Sequence, residues 1–382
     1  MSNSIKIHIL GLGSIGGIVA NALQEYSVAS NTPIKIIPIL RNNSKLDYFS
    51  KNHNTQIKIT KIYEDNKQIT TEPFKETTSL ESISADNTNS IQNLIITTKT
   101  YQTAEAMKPI LPLINRSTNI LFIQNGLGIM DFLLKELPQL AGDNSKLNPS
   151  RVFQGVISHG VFSNEPFHFQ HAGFMDLKIS QLIYSANTRI IQTNKQVAEI
   201  LTNNDFIRTM AEIPLNVKFM SYQELLTGQV EKFCVNSCIN SITTIVDCIN
   251  GELDGICVDI FSEIIKEILQ VLPTSTKYKD IFSYGNTEND QDLPVLEKNP
   301  KDVLNFENLL KYVIECGCVI NKNNSSSMRQ DALNLRDTEI DFINGYIVKL
   351  CEDTGNIEMC KINKTVSILV KLRLSLNRKR GK

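Results

Sequence analysis

The stretch IKIHILGLGSIGG, residues 5–17, limits this chain more than any other. A β-rich run at 5–10 leads directly into glycines at 11, 13 and 16. Helical periodicity then sets in over 14–25, SIGGIVANALQE. Strand, glycine loop and helix in that order give G-x-G-x-x-G the setting it needs to carry meaning. The glycines let the backbone turn tightly and approach a pyrophosphate, whose charge sits at the helix N-terminus. Gly11, Leu12, Gly13, Ser14, Ile15 and Gly16 therefore form the candidate cofactor loop, and a dinucleotide is its expected occupant.

The pattern that follows extends this reading. IKIIPIL (34–40, weakened by Pro38), NLIITTK (93–99) and NILFIQN (119–125) are apolar strands separated by helical segments. Such an alternation predicts a parallel sheet covered on both faces. RVFQGVISHGV and FHFQHAGFMDLKIS read as further strands of the same sheet. The second strand ends in Leu40-Arg41-Asn42. An NAD site usually places Asp or Glu there to accept from the adenosine ribose. Arg41 cannot accept but can pair with a 2′-phosphate, which favours NADP(H); the alternative is a surface arginine after a strand. Lys45 is placed to assist. Lys99 and Asn125 follow the carboxyl ends of the next two strands, where ligands bind in open parallel sheets. Lys99 offers a point charge and Asn125 an amide for the nicotinamide carboxamide; alternatively, either caps a turn.

From about residue 216 helical periodicity dominates, at 221–249, 256–272, 303–321, 326–351 and 361–378. The expected architecture is α/β followed by all-α: a Rossmann-type parallel-sheet domain at 1–215, then a helical domain at 216–382. Polar segments at roughly 42–90, 138–150, 181–205 and 275–302 read as surface insertions. A net charge of -1 with 21% charged residues gives no reason to expect nucleic acid or a membrane surface as partner. The N-terminus lacks a secretory pattern and no apolar run reaches membrane-span length, so a cytoplasmic location is expected. All eight cysteines lie after residue 230 without zinc-ligand spacing and read as reduced, packed thiols. HFQH (168–171) has no accompanying Cys or carboxylate cluster, so no metal site is expected. Whether the chain is a monomer or a homodimer is not readable.

In EKFCVNSCINS (231–241), Lys232, Asn236 and Asn240 recur every fourth residue among core-like neighbours. An α-helix keeps them on one stripe, with a drift of ~40° per step and a span of ~12 Å. Buried amides without partners cost ~1–3 kcal/mol each, so a small polar ligand or another part of the chain is expected to satisfy them. The alternative for Lys232 is a snorkelling helix lysine. Ser325, Ser326 and Ser327 precede a helical segment and read either as its N-cap or as ligand contacts. Were that helix continuous, Glu339 would stand ~18 Å beyond Ser327.

The motifs GLGSIG, TTKTYQT, QNGLG, GVISHGV, EKFCVNSCINSIT…NGEL and SSMRQDALNLRDTEIDFINGY, in this order, resemble the 2-dehydropantoate 2-reductases (ketopantoate reductases) over nearly the whole chain. Length and insertions resemble a fungal member. The resemblance implies NADPH-dependent reduction of 2-dehydropantoate, a small 2-keto acid, to (R)-pantoate, in pantothenate and hence coenzyme A synthesis. It implies Lys232 as catalytic proton donor, with Glu339 joining the catalytic set close to the cofactor. Asn125, Asn236, Asn240, Asn250 and Ser327 would bind substrate, and Lys99, Asn125 and the Val161 backbone would hold the nicotinamide side. A partly buried lysine suits proton donation because burial lowers its pKa towards neutrality. The family often has Pro after the second asparagine of the helix, whereas Ser241 stands here. On a continuous helix Asn250 would lie ~27 Å from Lys232, so it joins the site only if the chain bends near 241–249. A catalytically inactive NADPH-binding regulatory protein, and a reductase of another branched 2-keto acid, are the alternative functions.

Overall fold

The computed structural model describes residues 4–83, 90–141, 145–184, 191–284 and 296–381. The chain divides into two compact units. One comprises Met1–Gln124, Met130–Ile183 and Thr193–Tyr222; the other comprises Asn125–Ile129, Tyr184–Gln192 and Gln223–Lys382.

The first unit holds twelve described strands: β1 (Ile5–Leu10), β2 (Ile34–Leu40), β3 (Lys58–Lys61), β4 (Lys67–Thr70), β5 (Thr78–Ser79), β6 (Asn93–Ile96), β7 (Asn119–Ile123), β8 (Val152–Ile157), β9 (Gly160–Glu165), β10 (His168–Gly173), β11 (Leu177–Gln181) and β12 (Val217–Phe219). Eight of them form the main sheet, in the order β12-β11-β8-β7-β6-β1-β2-β5. Only the β11–β8 pairing is antiparallel. The helices of this unit are α1 (Ser14–Ala29), α2 (Asn43–His53), α3 (Leu80–Ile83), α4 (Thr103–Met107), α5 (Ile129–Glu136), α6 (Asn194–Asn203) and α7 (Asp205–Glu212). β6, β7 and β8 are buried at every position, as strands covered on both faces must be. Pro38 does not break β2. β5 pairs only with Ile39 and Leu40, so the residue without an N–H sits where β2 is otherwise an edge.

Residues 160–173 do not extend the main sheet. β9 and β10 pair with β3 and β4 in a separate sheet, ordered β4-β3-β10-β9. The physical reason lies in β10: Phe169 and His171 are buried while their neighbours are not, the period-2 pattern of a sheet with one face on a core. Nor is 42–83 a surface insertion. It supplies α2, β3, β4 and β5, and Phe49, Ile57, Ile59 and Phe74 belong to the core packed around α1. Likewise Leu140, Leu147, Leu182, Tyr278 and Ile281 are buried within the other polar segments. A few apolar anchors in a polar sequence are enough to dock it, and average composition hides them. Residues 84–89, 142–144, 185–190 and 285–295 lie outside the described residues.

Three histidines of the first unit are buried in their neutral form. The Met175 amide donates to His159 Nδ1 at 3.2 Å, so that nitrogen is an acceptor. His171 Nε2 then donates to it at 3.0 Å, and His159 Nε2 donates to the Leu215 carbonyl at 3.0 Å. Burial lowers the pKa of both rings, that of His171 to about 4. Burial, reinforced by Lys6, lowers His8 of β1 to about 4 as well. The unfolded chain protonates these rings near pH 6.5, while folded His8 and His171 wait until about 4. Stability is therefore full above about pH 6.5 and is lost as pH falls towards 4, by on the order of 3 kcal/mol for His8. We expect the melting temperature to fall between pH 7 and pH 4.5, and to fall less in His8→Leu. An equal fall in both proteins would remove His8 from the account.

The second unit is helical: α8 (Tyr222–Val235), α9 (Ser241–Val246), α10 (Val258–Val271), α11 (Lys279–Ser283), α12 (Pro300–Val303), α13 (Phe306–Val313), α14 (Ser327–Leu333), α15 (Asn344–Thr354) and α16 (Lys361–Arg380). Two π-helical segments, Asn236–Asn240 and Ile314–Ile320, follow α8 and α13. The segment 326–351 is not one helix. Leu335 adopts φ +59°, the Arg336 amide returns to the Asp331 carbonyl at 2.8 Å, and a short 3₁₀ turn, Ile340–Phe342, precedes α15. The α-helical spacing between Ser327 and Glu339 therefore does not apply. All eight cysteines are free thiols. No described helix is long and apolar enough to cross a membrane.

Candidate active site

In the first unit the glycine loop forms the turn its sequence implies. Gly11 adopts φ +101° and Gly13 is the extended N-cap of α1, without a side-chain cap. A Cβ on Gly16 would lie 2.0 Å from the Gly11 carbonyl oxygen and 2.7 Å from Thr97 Oγ1. Thr97 Oγ1 in turn donates to that carbonyl at 2.5 Å, locking the loop to the end of β6. By contrast, a Cβ on Gly13 would meet nothing within 4 Å. The space beside Gly13 is open, and the first turn of α1 carries no acidic residue. A helix of this length presents roughly half a positive charge at its N-terminus, so loop and helix together fit a pyrophosphate. Arg41 is exposed directly after β2. Lys45 instead places its ammonium 5.8 Å from the Phe167 ring centroid.

Lys99 is half-buried after β6, and its carbonyl accepts from Thr103 Oγ1 at 3.2 Å. Sequence reasoning passed over the neighbour that organises this loop. Gln124 Nε2 donates to the Thr98 carbonyl at 2.7 Å and to Thr103 Oγ1 at 2.6 Å. Its position, one residue before Asn125 at the end of a strand, was the available signal. Val161 lies in β9 opposite His171 and packs against the core that includes Ile18 and Phe169.

In the second unit, α8 and the segment 125–129 come together. Lys232 Nζ donates to Asn125 Oδ1 at 3.2 Å, and Gln229 Nε2 donates to the Gly126 carbonyl at 3.0 Å. The Leu127 amide donates to the Phe342 carbonyl at 3.1 Å. Gly126 has φ +85°, and a Cβ there would sit 2.4 Å from the Phe342 oxygen. Gln229 was missed in the sequence; its place three residues before Lys232, on the same helix face, marks it.

Phe233, Cys234, Cys238 and Ile239 are buried and anchor the helix, and burial pushes both thiols far above their usual range. Lys232 and Asn236 are half-buried and Asn240 is buried. Asn240 Nδ2 donates to Asn236 Oδ1 at 3.3 Å. The adjacent Glu231 is buried and paired with Lys298 at 2.8 Å, so its charge is balanced away from Lys232.

The structure therefore joins Lys232 to Asn125, and Asn236 to Asn240. The remaining candidates make other contacts. α9 ends at Asp247 in the left-handed region, φ +58°, so the chain does bend before Asn250. The Asn250 amide donates to the Asn324 carbonyl at 3.0 Å, and its Oδ1 is buried without a hydrogen-bond partner. An acceptor in that state fits an external donor. Ser326, rather than Ser327, caps α14 by accepting from the Arg329 amide; Ser327 is the exposed first helical residue. Glu339 is buried, and its carbonyl accepts from the Phe342 amide at 2.9 Å. No group of three or more His, Cys, Asp or Glu able to hold a metal occurs among the described residues; His168 bonds Thr60 and His171 bonds His159.

Comparison with known proteins adds an independent line. The family described as Ketopantoate reductase PanE/ApbA matches residues 7–183, and its C-terminal counterpart matches residues 224–373. The 2-dehydropantoate 2-reductase of Saccharomyces cerevisiae is 40% identical over 381 residues, 98% of this chain and 96% of that protein. The probable 2-dehydropantoate 2-reductase of Schizosaccharomyces pombe is 38% identical over 391 residues, 100% of this chain and 99% of that protein. Among solved structures, D-mandelate dehydrogenase with NADH and anilino(oxo)acetate aligns with a TM-score of 0.71 at 18% identity, covering 97% of this chain and 99% of that one. At that identity the likeness is one of fold.

Proposed function

This chain belongs to the ketopantoate reductase family, and from that membership we propose that it reduces 2-dehydropantoate to (R)-pantoate with NADPH. It is an oxidoreductase with a nicotinamide dinucleotide cofactor, acting on a small keto acid. The observation that carries the reading is the pairing of Lys232 with Asn125 beside the Asn236–Asn240 amides on one helix. Gly11 to Gly16 would hold the pyrophosphate, Arg41 the 2′-phosphate, and Lys99 the nicotinamide side. When bound, the dinucleotide supplies the hydride to the keto carbon.

The chain must then provide a proton and hold the acid. Lys232 donates the proton to the carbonyl oxygen and stabilises the charge that develops there. Asn125 orients the ammonium through its Oδ1 acceptor. The Asn240–Asn236 bond uses one of four amide N–H groups, which leaves capacity to bind carboxylate and hydroxyl oxygens. Neutral amides do this without competing for the proton. Asn250, Ser327 and Glu339 complete the set proposed from family likeness, Glu339 close to the cofactor. The first and second domains are proposed as cofactor-binding and substrate-binding respectively, in a cytoplasmic enzyme of pantothenate synthesis.

The test is NADPH oxidation by the purified protein across a panel of 2-keto acids, with 2-dehydropantoate expected to give the highest kcat/KM. Highest turnover with a different branched 2-keto acid would replace the substrate. Absence of turnover with every acid, with NADPH still bound, would overturn the enzymatic reading. Arg41→Ala should weaken NADPH binding about tenfold or more, the value of a charge-assisted hydrogen bond, and leave NADH binding nearly unchanged. An equal loss for both cofactors would argue against a 2′-phosphate contact.

A further inference from the structure

The π-helical turn Asn236–Asn240 lies inside the polar stripe. In a continuous α-helix the Ser241 amide would donate to the Ser237 carbonyl, four residues earlier. Here the Ser241 amide turns to the Cys238 carbonyl. The Ser237 carbonyl accepts instead from Asn344 Nδ2 at 3.1 Å, and Ser241 Oγ donates to Asn344 Oδ1 at 2.5 Å. One side chain thus takes the carbonyl that the turn frees and holds the Ser241 hydroxyl beside it. Asn344 is wholly buried. Its second N–H donates to Asn363 Oδ1 at 3.0 Å, and Asn363 Nδ2 donates to Glu267 Oε2 at 2.8 Å. The Asn363 and Ile362 amides also donate to the Glu267 carboxylate, each at 2.8 Å. Asn344 is therefore braced from α10 and α16, with both Nδ2 hydrogens and Oδ1 in use.

The turn changes where the stripe points. Two α-helical steps of four would rotate Asn240 away from Lys232 by roughly 80°. A turn closed by i→i+5 bonds advances less per residue and so cancels much of that drift. Asn240 and Asn236 lie in hydrogen-bond contact, at 3.3 Å, within the turn. Ile239 also seats the turn: it fills the space over Gly317, where a Cβ would lie 2.4 Å from its Cδ1.

The geometry points to Asn344 and Ser241 as positioning residues that hold this π turn and thereby align Lys232, Asn236 and Asn240 on one substrate. This rests on the keto-acid reductase reading above. Neither residue touches the reacting atoms; both act through the backbone between the two asparagines.

The test compares Asn344→Ala, Ser241→Ala and Ser241→Pro with the wild type. The measurements are NADPH oxidation with 2-dehydropantoate, NADPH affinity by fluorescence, melting temperature, and calorimetric binding of (R)-pantoate to the NADP+ complex. Asn344→Ala should lower kcat/KM by about tenfold or more and weaken (R)-pantoate binding by a similar factor, with NADPH affinity within about twofold. Ser241→Ala should move both in the same direction by about threefold or more. Ser241→Pro should recover most of that loss. Ser241 has φ -69°, which a proline ring favours; a proline gives up the amide bond to Cys238 but also cannot form the α-helical bond to the Ser237 carbonyl, so it disfavours the regular helix that competes with the turn. A purely structural role predicts the opposite order, with proline the worse variant. Wild-type KM and (R)-pantoate affinity in both alanine variants would overturn the proposal, as would a proline variant no better than Ser241→Ala. If Asn344→Ala does not fold, the two Ser241 variants decide alone. A wild type inactive on every 2-keto acid would instead overturn the reductase reading, and this inference with it.

Discussion

Lys232→Ala is expected to lower kcat for 2-dehydropantoate reduction by at least ~10²-fold, the low end for loss of a general acid, while NADPH affinity stays within about twofold. The lysine is half-buried on α8 with its Nζ 3.2 Å from Asn125 Oδ1. Removing it takes away the proposed proton source and leaves that acceptor without its ammonium. Lys232→Arg separates two roles. A guanidinium keeps the charge but holds its proton at any working pH. If Lys232 only stabilised developing charge, the arginine variant would keep much of the rate; if it gives the proton, arginine fails nearly as badly as alanine. Steady-state kinetics over pH 5.5–9 reads both. Near-normal turnover in the alanine variant would remove Lys232 from the mechanism.

The second large effect concerns the cofactor and dissociates folding from binding. Gly13→Ala places a methyl group in space that is open in the folded chain, so the melting temperature should match the wild type. In the proposed site that space is where the backbone would approach the pyrophosphate, so NADPH affinity should fall by ~10²-fold, close to 3 kcal/mol. Gly16→Ala is the contrast. Its methyl group would meet the Gly11 oxygen at 2.0 Å and Thr97 Oγ1 at 2.7 Å, breaking the tie between loop and β6, so stability and affinity should fall together. Calorimetry and thermal unfolding on the two variants decide the matter. A Gly13→Ala protein that binds NADPH as the wild type does would place the pyrophosphate elsewhere.

Part of the candidate site could be read from residue order. Gly11, Gly13 and Gly16 are intelligible without coordinates because strand, turn and helix are set within a dozen residues. The stripe of Lys232, Asn236 and Asn240 was visible from its spacing, but its straightness was not, because an i, i+4 pattern presumes an α-helix throughout. Gln124 and Gln229 went unremarked because a glutamine beside a functional residue has no pattern of its own; only its hydrogen bonds identify it. The segment 42–83 looked like an insertion because Phe49, Ile57, Ile59 and Phe74 are diluted by lysines, asparagines and threonines. The break at Leu335 was hidden for a different reason, since leucine in the left-handed region carries no local warning.

The sequence by itself determined the features that arise from neighbouring residues: the glycine loop between strand and helix, the apolar parallel strands, the helical second half and the polar stripe within it. The tertiary structure decided what depends on distant partners. It drew β3 and β4 beside β9 and β10 into a second sheet, and it bound Asn125 to a lysine 107 residues away. It also placed the Asn344 side chain against a carbonyl 107 residues earlier in the chain. Such contacts leave little trace in local periodicity. Their energy comes from satisfying buried polar groups that only the folded chain brings together.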